Sequence, residues 1–154
     1  MKSIPKLITE DLNKSLDRPV TMEEVDEVVK EMPIGKAPGP NGFTIDFFKA
    51  CWEIIQLEVW GVVEYSRKSA SILKSLNSTF IALISKEEAA YTPSNFRPIA
   101  LCNVLYKIIS KVMANRLKPI LPLLISQEQS GYVEGRKIMD NVLLAQEMVH
   151  TLQS

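Results

Sequence analysis

The amino-terminal third of the chain contains a clear helix signal in the stretch PVTMEEVDEVVKEMP. Thr21 can cap a helix and Glu24 follows three positions later, which completes a capping box. Val20 can pack on Val25 across this start as a hydrophobic staple. The apolar residues then recur three and four positions apart, at Val25, Val28, Val29 and Met32. Because proline cannot continue a helix, the pattern predicts a helix that ends at Pro33.

Three later stretches show the same helical spacing of apolar residues. We expect one long helix in FTIDFFKACWEIIQLEVWGVVEYSRKSA, with Gly61 as its weak point. NVLYKIISKVMANRLKP predicts a second helix, which Pro119 ends. IMDNVLLAQEMVHTLQ predicts a final amphipathic helix.

Two short apolar stretches lie between these helices and predict strands. SLNSTFIALISK is apolar on both alternations and rich in β-branched residues, as a buried strand would be. FRPIAL predicts a second strand after the turn-rich loop EEAAYTPSN, and a hairpin is the simplest pairing. Pro98 confines the second strand to an edge or a bulge. The order of elements predicts a mainly helical α+β domain with a short antiparallel strand pair.

The stretch MPIGKAPGPNGF separates the first two predicted helices with three prolines and three glycines. Pro38 and Pro40 fix their own φ, and we expect Gly39 and Gly42 to adopt conformations closed to other residues. Asn41 or Thr44 is expected to cap the helix that follows. A rigid corner between two helices accounts for the prolines and glycines, but it gives no reason for Lys36 in the middle.

Composition narrows the classes of protein. The 154 residues are 46% hydrophobic and carry 18 basic and 18 acidic side chains, which indicates a globular domain and argues against a generally basic nucleic-acid coat. Charge is nevertheless uneven, since Pro93 to Ser126 holds five basic residues and no Asp or Glu. Two cysteines without metal spacing and no apolar leader or membrane-length run predict an intracellular protein, in the nucleus or the cytoplasm, with no membrane partner.

Four motifs occur in order along the chain: KAPGPNGF, LISK, FRPIALCNVLYKIISKVMANRLKPIL and ISQEQSGYVEGRKIMDNVLLAQE. Together they resemble the amino-terminal part of the reverse transcriptase domain of non-LTR, LINE-type retrotransposons, particularly the plant kind. The resemblance runs from about Leu7 onward and implies that residues 1–154 are a partial domain, comprising the fingers and the start of the palm. It also implies RNA-directed DNA synthesis with Mg²⁺ in the full-length family, and as partners an RNA template, an RNA–DNA duplex and the missing palm and thumb.

Lys86 and Arg97 are the candidates for contacting nucleotide phosphates. Each stands at or beside the end of a predicted strand, and two fixed cations suit a triphosphate by charge. The resemblance implies the same role, because reverse transcriptases place a lysine and an arginine in the fingers hairpin. The alternative is that Lys86 merely closes a strand and Arg97 pairs with Glu87 or Glu88.

The candidates for contacting nucleic acid are spread over three stretches. Lys107, Lys111 and Lys118, with Arg116 beside them, form a basic stripe on one helix that could follow a phosphate backbone or simply be a solvated face. The resemblance implies that Lys36 lies over the template and that Gly135 and Arg136 lie near the template and the nucleotide. A turn glycine followed by a basic residue at a helix start accounts for the last pair equally well.

The residues that polymerase chemistry requires are missing from the sequence. Two-metal chemistry needs aspartates, and none of the five belongs to a Tyr-x-Asp-Asp motif: Asp11, Asp17, Asp26, Asp46 and Asp140. The resemblance implies that the catalytic aspartates would follow Ser154. We therefore assign no catalytic or metal-binding residue, and expect no bound metal and no polymerase activity from this chain alone. A non-catalytic RNA- or DNA-binding module and a non-functional retrotransposon relic are the alternative functions.

Overall fold

The computed structural model describes residues 7–126 and, beyond them, residues 129, 133, 135–137, 139, 142, 143, 146, 148, 149 and 151. The chain forms two compact units, one from Pro19–Met113 and the other from Met1–Arg18 together with Ala114–Ser154.

The bounds of the elements, in chain order, are α1 Glu10–Leu16, α2 Met22–Glu31, α3 Ile45–Ala50, α4 Trp52–Ser69, β1 Thr79–Ser85, β2 Phe96–Cys102, α5 Val104–Leu117 and α6 Leu121–Leu124. A short 3₁₀ turn, Pro93–Asn95, precedes β2. The prediction of an α+β chain with one antiparallel strand pair is confirmed.

Helix α2 begins with the predicted capping box. The Thr21 hydroxyl accepts a hydrogen bond from the Glu24 backbone N–H, and the Glu24 carboxylate accepts one from the Thr21 backbone N–H at 3.0 Å. Val25, Val28 and Val29 are buried, as the apolar stripe predicts. The start of this helix is therefore set by local sequence, and its face by the spacing of its valines.

The long helix predicted after the glycine-rich loop is instead two helices. Thr44 caps α3 by accepting a hydrogen bond from the Phe47 backbone N–H at 3.4 Å. The helix then breaks at Cys51, whose φ of −101° and ψ of 11° lie outside the helical range, and α4 begins at the next residue. The prediction of one continuous helix is wrong at this point. The break allows α3 and α4 to differ in direction while both contribute buried residues to one core.

The core of the Pro19–Met113 unit is built from α2, α3, α4 and the first part of α5. Branched aliphatic side chains dominate it, as the β-branched residues of these amphipathic helices predict. The buried cluster is Val20, Val25, Val28, Val29, Ile45, Phe48, Val59, Val63, Val104, Ile108, Ile109 and Val112.

The strands β1 and β2 form an antiparallel hairpin in which Thr79 lies opposite Cys102 and Ser85 opposite Phe96. Pro98 lies opposite Leu83, which the two-stranded sheet tolerates because both of its strands are edges. The prediction that β1 is buried is wrong, because six of its seven residues are exposed. Within the described residues, two strands alone leave both faces of the hairpin open to solvent.

The predicted carboxyl-terminal helix lies partly outside the described residues. Those of its residues that are described are helical, namely Met139, Val142, Leu143, Gln146, Met148, Val149 and Thr151. In the described part of the chain, no helix combines the length and the apolar character needed to cross a membrane.

Candidate nucleotide and nucleic-acid interface

The loop that carries Lys36 is held against the junction of β2 and α5. A β-carbon added at Gly39 would lie 2.4 Å from the Asn103 nitrogen and 2.5 Å from the Cys102 carbonyl carbon. No real β-carbon tolerates such distances, so only glycine allows this approach. Within this loop the prediction of a special φ is confirmed for Gly42, at 77°, and wrong for Gly39, while Gly35 has a positive φ of 69°.

Asn103 is the fully buried residue that joins three separate segments, and sequence reasoning missed it. Its side-chain Oδ1 accepts a hydrogen bond from the Asn41 backbone N–H at 3.1 Å. Its Nδ2 donates to the carbonyls of Ser75 and Leu76, at 3.2 Å each, and lies 3.4 Å from the Ser78 carbonyl. One side chain thus fixes the glycine-rich loop and the turn before β1 to the start of α5. An asparagine between a strand and a helix was the available signal, but its partners are distant in sequence.

Lys36 itself lies exposed on this anchored loop. Its ammonium group makes no hydrogen bond and no ion pair with the described residues. Gly42 N–H donates to the Gly39 carbonyl at 3.0 Å, which closes the turn that follows Lys36. The loop therefore presents a solvated cation on a fixed backbone, which is the arrangement a phosphate contact requires.

Lys86 and Arg97 lie on the same face of the hairpin. Arg97 is opposite Ile84 in the register, and side chains of directly opposed residues project from the same face. The Lys86 backbone N–H donates to the Asn95 carbonyl at 2.8 Å, which continues the antiparallel pairing one step beyond β1. Lys86 is thus two residues from Ile84 on the same face. Such diagonal neighbours are about 7–8 Å apart in antiparallel pairs.

The immediate partners of the two cations differ. The Lys86 ammonium donates to the Ser94 carbonyl at 2.6 Å, so this lysine also closes the loop between the strands. Arg97 is exposed and makes no ion pair with the described residues, so the alternative pairing with Glu87 or Glu88 does not form. An open guanidinium beside a partly engaged ammonium leaves the hairpin able to accept an anion on this face.

The basic stripe on α5 has an acidic neighbour that the sequence does not reveal. Lys111 Nζ lies 3.6 Å from the Glu31 carboxylate of α2, and both side chains are partly exposed. The sequence from Pro93 to Ser126 holds no Asp or Glu, but Glu31 of α2 supplies an acidic partner in the folded unit. Lys107 lies one turn earlier and is half-buried. A phosphate at Lys111 would have to compete with Glu31.

Arg116 engages the amino-terminal segment rather than solvent. Its guanidinium donates to the Leu16 carbonyl at 3.0 Å and to the Arg18 carbonyl at 2.6 Å. This arrangement holds together two segments nearly a hundred residues apart within the unit that also contains α1. Lys118 is exposed beyond the end of α5. The basic stripe thus contains one arginine with a clear structural role.

Gly135 and Arg136 form a turn in the same unit. Gly135 has a φ of 80°, which favours glycine. The Arg136 guanidinium donates to the carbonyls of Gln129, at 2.8 Å, and Ile125, at 3.3 Å, and also to that of Ser126. These contacts agree with the alternative interpretation of this pair, a turn glycine followed by a basic residue that orders the backbone.

The Glu64 carboxylate has a strongly lowered pKa, and its role is structural. Glu64 is buried in α4, and its hydrogen bonds with Arg67, together with the Val20 backbone N–H, lower its pKa to about 2. Among the residues that the structure describes, no three His, Cys, Asp or Glu side chains lie close enough together to hold a metal ion. The described side chains therefore do not fit a catalytic magnesium pair.

Comparison with known proteins identifies the class. Residues 84–154 match the family "Reverse transcriptase (RNA-dependent DNA polymerase)". The chain thus carries part of a reverse transcriptase domain of the non-LTR, LINE-type retrotransposon class, as the resemblance of its motifs predicts. Its likeness to the plant members of this class stays a prediction.

Individual relatives extend the similarity beyond residues 84–154. The chain is 31% identical, over 94% of its length, to the "Transposon TX1 uncharacterized 149 kDa protein" of Xenopus laevis. It is 26% identical, over 81% of its length, to the "Probable RNA-directed DNA polymerase from transposon BS" of Drosophila melanogaster. It is 23% identical, over 82%, to the "Retrovirus-related Pol polyprotein from type-1 retrotransposable element R1" of Bradysia coprophila. The chain spans only 11%, 14% and 13% of the lengths of these three relatives.

Proposed function

We propose that this chain is the fingers region, with the start of the palm, of a LINE-type RNA-directed DNA polymerase, and that it holds the template–primer and the phosphates of the incoming nucleotide. The similarity to transposon proteins along most of the chain supports this proposal, since one of them is named a probable RNA-directed DNA polymerase. The proposed partners are an RNA template, an RNA–DNA duplex, and the palm and thumb of the polymerase.

The shared face of Lys86 and Arg97 is the observation that carries the nucleotide part of the proposal. A triphosphate presents several negative charges in a row, and two cations in diagonal register can each contact a different phosphate. The arginine fork can bind two oxygens of one phosphate, while the lysine acts as a point charge. To bind, Lys86 exchanges its contact with the Ser94 carbonyl for a phosphate oxygen.

The template part of the proposal rests on Lys36 and on the basic residues of α5. Contacts of this kind supply affinity that is independent of sequence and falls with salt. We assign the direct contacts to Lys36, Lys107 and Lys111, with Lys118 exposed beyond them. Arg116, Gly135 and Arg136 act chiefly by ordering the backbone around them.

Magnesium would supply charge stabilisation in the full polymerase, but the described residues provide no site for it. We propose that this chain binds substrates and that catalysis requires residues outside it. The chain alone should therefore not extend a primer when supplied with nucleotides and magnesium.

Titration of the purified chain with a deoxynucleoside triphosphate, followed by nuclear magnetic resonance shifts, tests the nucleotide site. Lys86→Gln and Arg97→Gln should each weaken binding about tenfold, the effect of losing one charge-assisted contact. Lys74→Gln removes an exposed lysine from the loop before β1 and is the matched control. Equal affinities for all three variants would contradict the proposed site.

A further inference from the structure

Helix α4 exposes an apolar stripe on the side that faces away from the core. Ile54, Leu57 and Tyr65 are 79%, 65% and 55% exposed. With 3.6 residues per turn, these three side chains, Gly61 and Lys68 lie within about 40° of one line along the helix. We call these five residues the outer stripe. The opposite side of α4 holds the buried residues Val59, Val63 and Ser66.

The described fold gives no reason for the glycine in this stripe. A β-carbon added at Gly61 would meet no atom within 4 Å, so no neighbouring segment needs the space. Its φ is not in the left-handed region, so the backbone does not need glycine either. Glycine inside a helix is unfavourable compared with alanine. Gly61 also stands near the middle of α4, which runs from Trp52 to Ser69.

The outer stripe is complementary to itself when two copies run antiparallel. If the helices cross at Gly61, Leu57 of one copy lies opposite Tyr65 of the other, since each is four positions from the crossing. Lys68 then lies opposite Ile54, and its ammonium can reach Glu53 one residue further on. The charge is acidic at the start of the stripe and basic at its end, so both ends of an antiparallel pair match.

We infer that the outer stripe of α4 is a contact between two copies of this chain, antiparallel and two-fold symmetric, with Gly61 at the crossing. The missing side chain lets the two backbones approach, and the flanking apolar side chains pack on either side of the crossing. A single helix pair is at the low end of interface sizes, so the dimer is weak and depends on concentration. This inference does not depend on the proposed function.

Charge complementarity favours a second copy of this chain, rather than another partner, as the molecule that contacts the outer stripe. Glu53 makes no ion pair with the described residues, and Lys68 has only a long contact of 3.6 Å with Glu64 while 69% of its side chain is exposed. Both groups can therefore form a new pair without losing a strong one. The hairpin is a second exposed apolar surface, with Ile81 71% exposed, and it provides the control.

Sedimentation velocity of the purified chain across a wide range of concentration tests the inference. The wild type should shift from monomer toward dimer, and Gly61→Leu should remove the shift because its side chain fills the crossing. Lys68→Glu and Glu53→Lys should each weaken association about tenfold, and the double variant E53K/K68E should recover most of it. Ile81→Ser, on the hairpin, should leave the dissociation constant unchanged.

Circular dichroism establishes that each variant is folded, and cross-linking gives a second measurement. Gly61→Cys should form a disulfide dimer under mild oxidation, whereas Ile54→Cys should not, because only residues at the crossing meet their own copy. A chain that stays monomeric throughout would overturn the inference. The inference would also be overturned if Ile81→Ser weakened the dimer and Gly61→Leu did not. A third contrary result would be that the losses of dimer affinity in Glu53→Lys and Lys68→Glu add together in the double variant.

Discussion

The α-carbon of Gly39 packs directly on the backbone of Asn103, and a β-carbon on Gly39 would stand 2.4 Å from the Asn103 nitrogen. This contact joins the loop that carries Lys36 to the junction between the hairpin and α5. It belongs to tertiary structure, because the two residues are 64 positions apart. The close approach accounts for the glycine at position 39 of this loop.

Gly39→Ala should lower the free energy of unfolding by about 1–3 kcal/mol, because the added methyl group must push backbone atoms apart. Urea denaturation followed by circular dichroism measures this change. Gly61→Ala is the matched control, since the same methyl group enters open space in a helix interior. It should raise the free energy of unfolding by about 0.5–1 kcal/mol. The same sign for both variants would show that the Gly39 contact is not formed.

Asn103→Asp should destabilise the fold by about 1–3 kcal/mol at neutral pH, because a carboxylate cannot donate to the carbonyls of Ser75 and Leu76. The loss should shrink at acidic pH, where a protonated aspartate can again donate one hydrogen bond. Thermal unfolding of both proteins at several pH values measures the difference. Asn115→Asp, on a half-buried asparagine of α5, is the control. A loss at Asn103 no larger than at Asn115 would contradict the central role of Asn103.

Stability should fall as the pH falls from about 5 toward 2. The pKa of Glu64 is about 2 in the folded chain, chiefly because of Arg67, against an ordinary value of 4.5. Because the pKa is lower in the folded chain than in the unfolded chain, ionised Glu64 stabilises the native state at pH values above 4.5. Protonation of Glu64 at lower pH removes that stabilisation. Glu64→Gln should flatten this part of the stability profile, as measured by urea denaturation at a series of pH values. If the variant kept the full dependence of stability on pH, the loss of stability at acidic pH would have to come from other carboxylates.

The pair formed by Lys111 and Glu31 allows a test of nucleic-acid binding that works in both directions. Lys107→Gln and Lys111→Gln should weaken binding to an RNA–DNA duplex and flatten its salt dependence, each lost phosphate contact reducing the slope by about 1. Glu31→Gln should instead strengthen binding, because it releases Lys111. Fluorescence anisotropy at several salt concentrations measures all three, with Glu23→Gln, an exposed acidic residue of the same helix, as the control. If Glu31→Gln behaves like Glu23→Gln, Lys111 does not contact phosphate.

The sequence predicted the local features of the fold well. The capping box at Thr21, the stop near Pro33 and the two strands follow from rules that involve residues a few positions apart. The break at Cys51 was not predictable, because apolar residues recur with helical spacing on both sides of it. The exposure of β1 was also missed, since an apolar sequence does not determine how many layers cover a strand.

The candidate site likewise has features that follow from local sequence and features that depend on tertiary contacts. Its cations were recognisable from motifs and charge, and the strand register that places Lys86 beside Arg97 extends a predicted hairpin. The partners of those cations were not recognisable. Glu31 reaches Lys111 from another helix, and Arg116 turns to carbonyls nearly a hundred residues away.

By itself, then, the amino-acid sequence determined the start and stop of α2, the hairpin and the reverse transcriptase class, because caps, prolines, periodicity and motif order act over short distances along the chain. Tertiary structure alone decided which glycine had to lack a side chain, which asparagine had to be buried and which cations stayed open to solvent. Those outcomes depend on which segments approach one another in space, and close packing assigns such contacts only when the whole unit has folded.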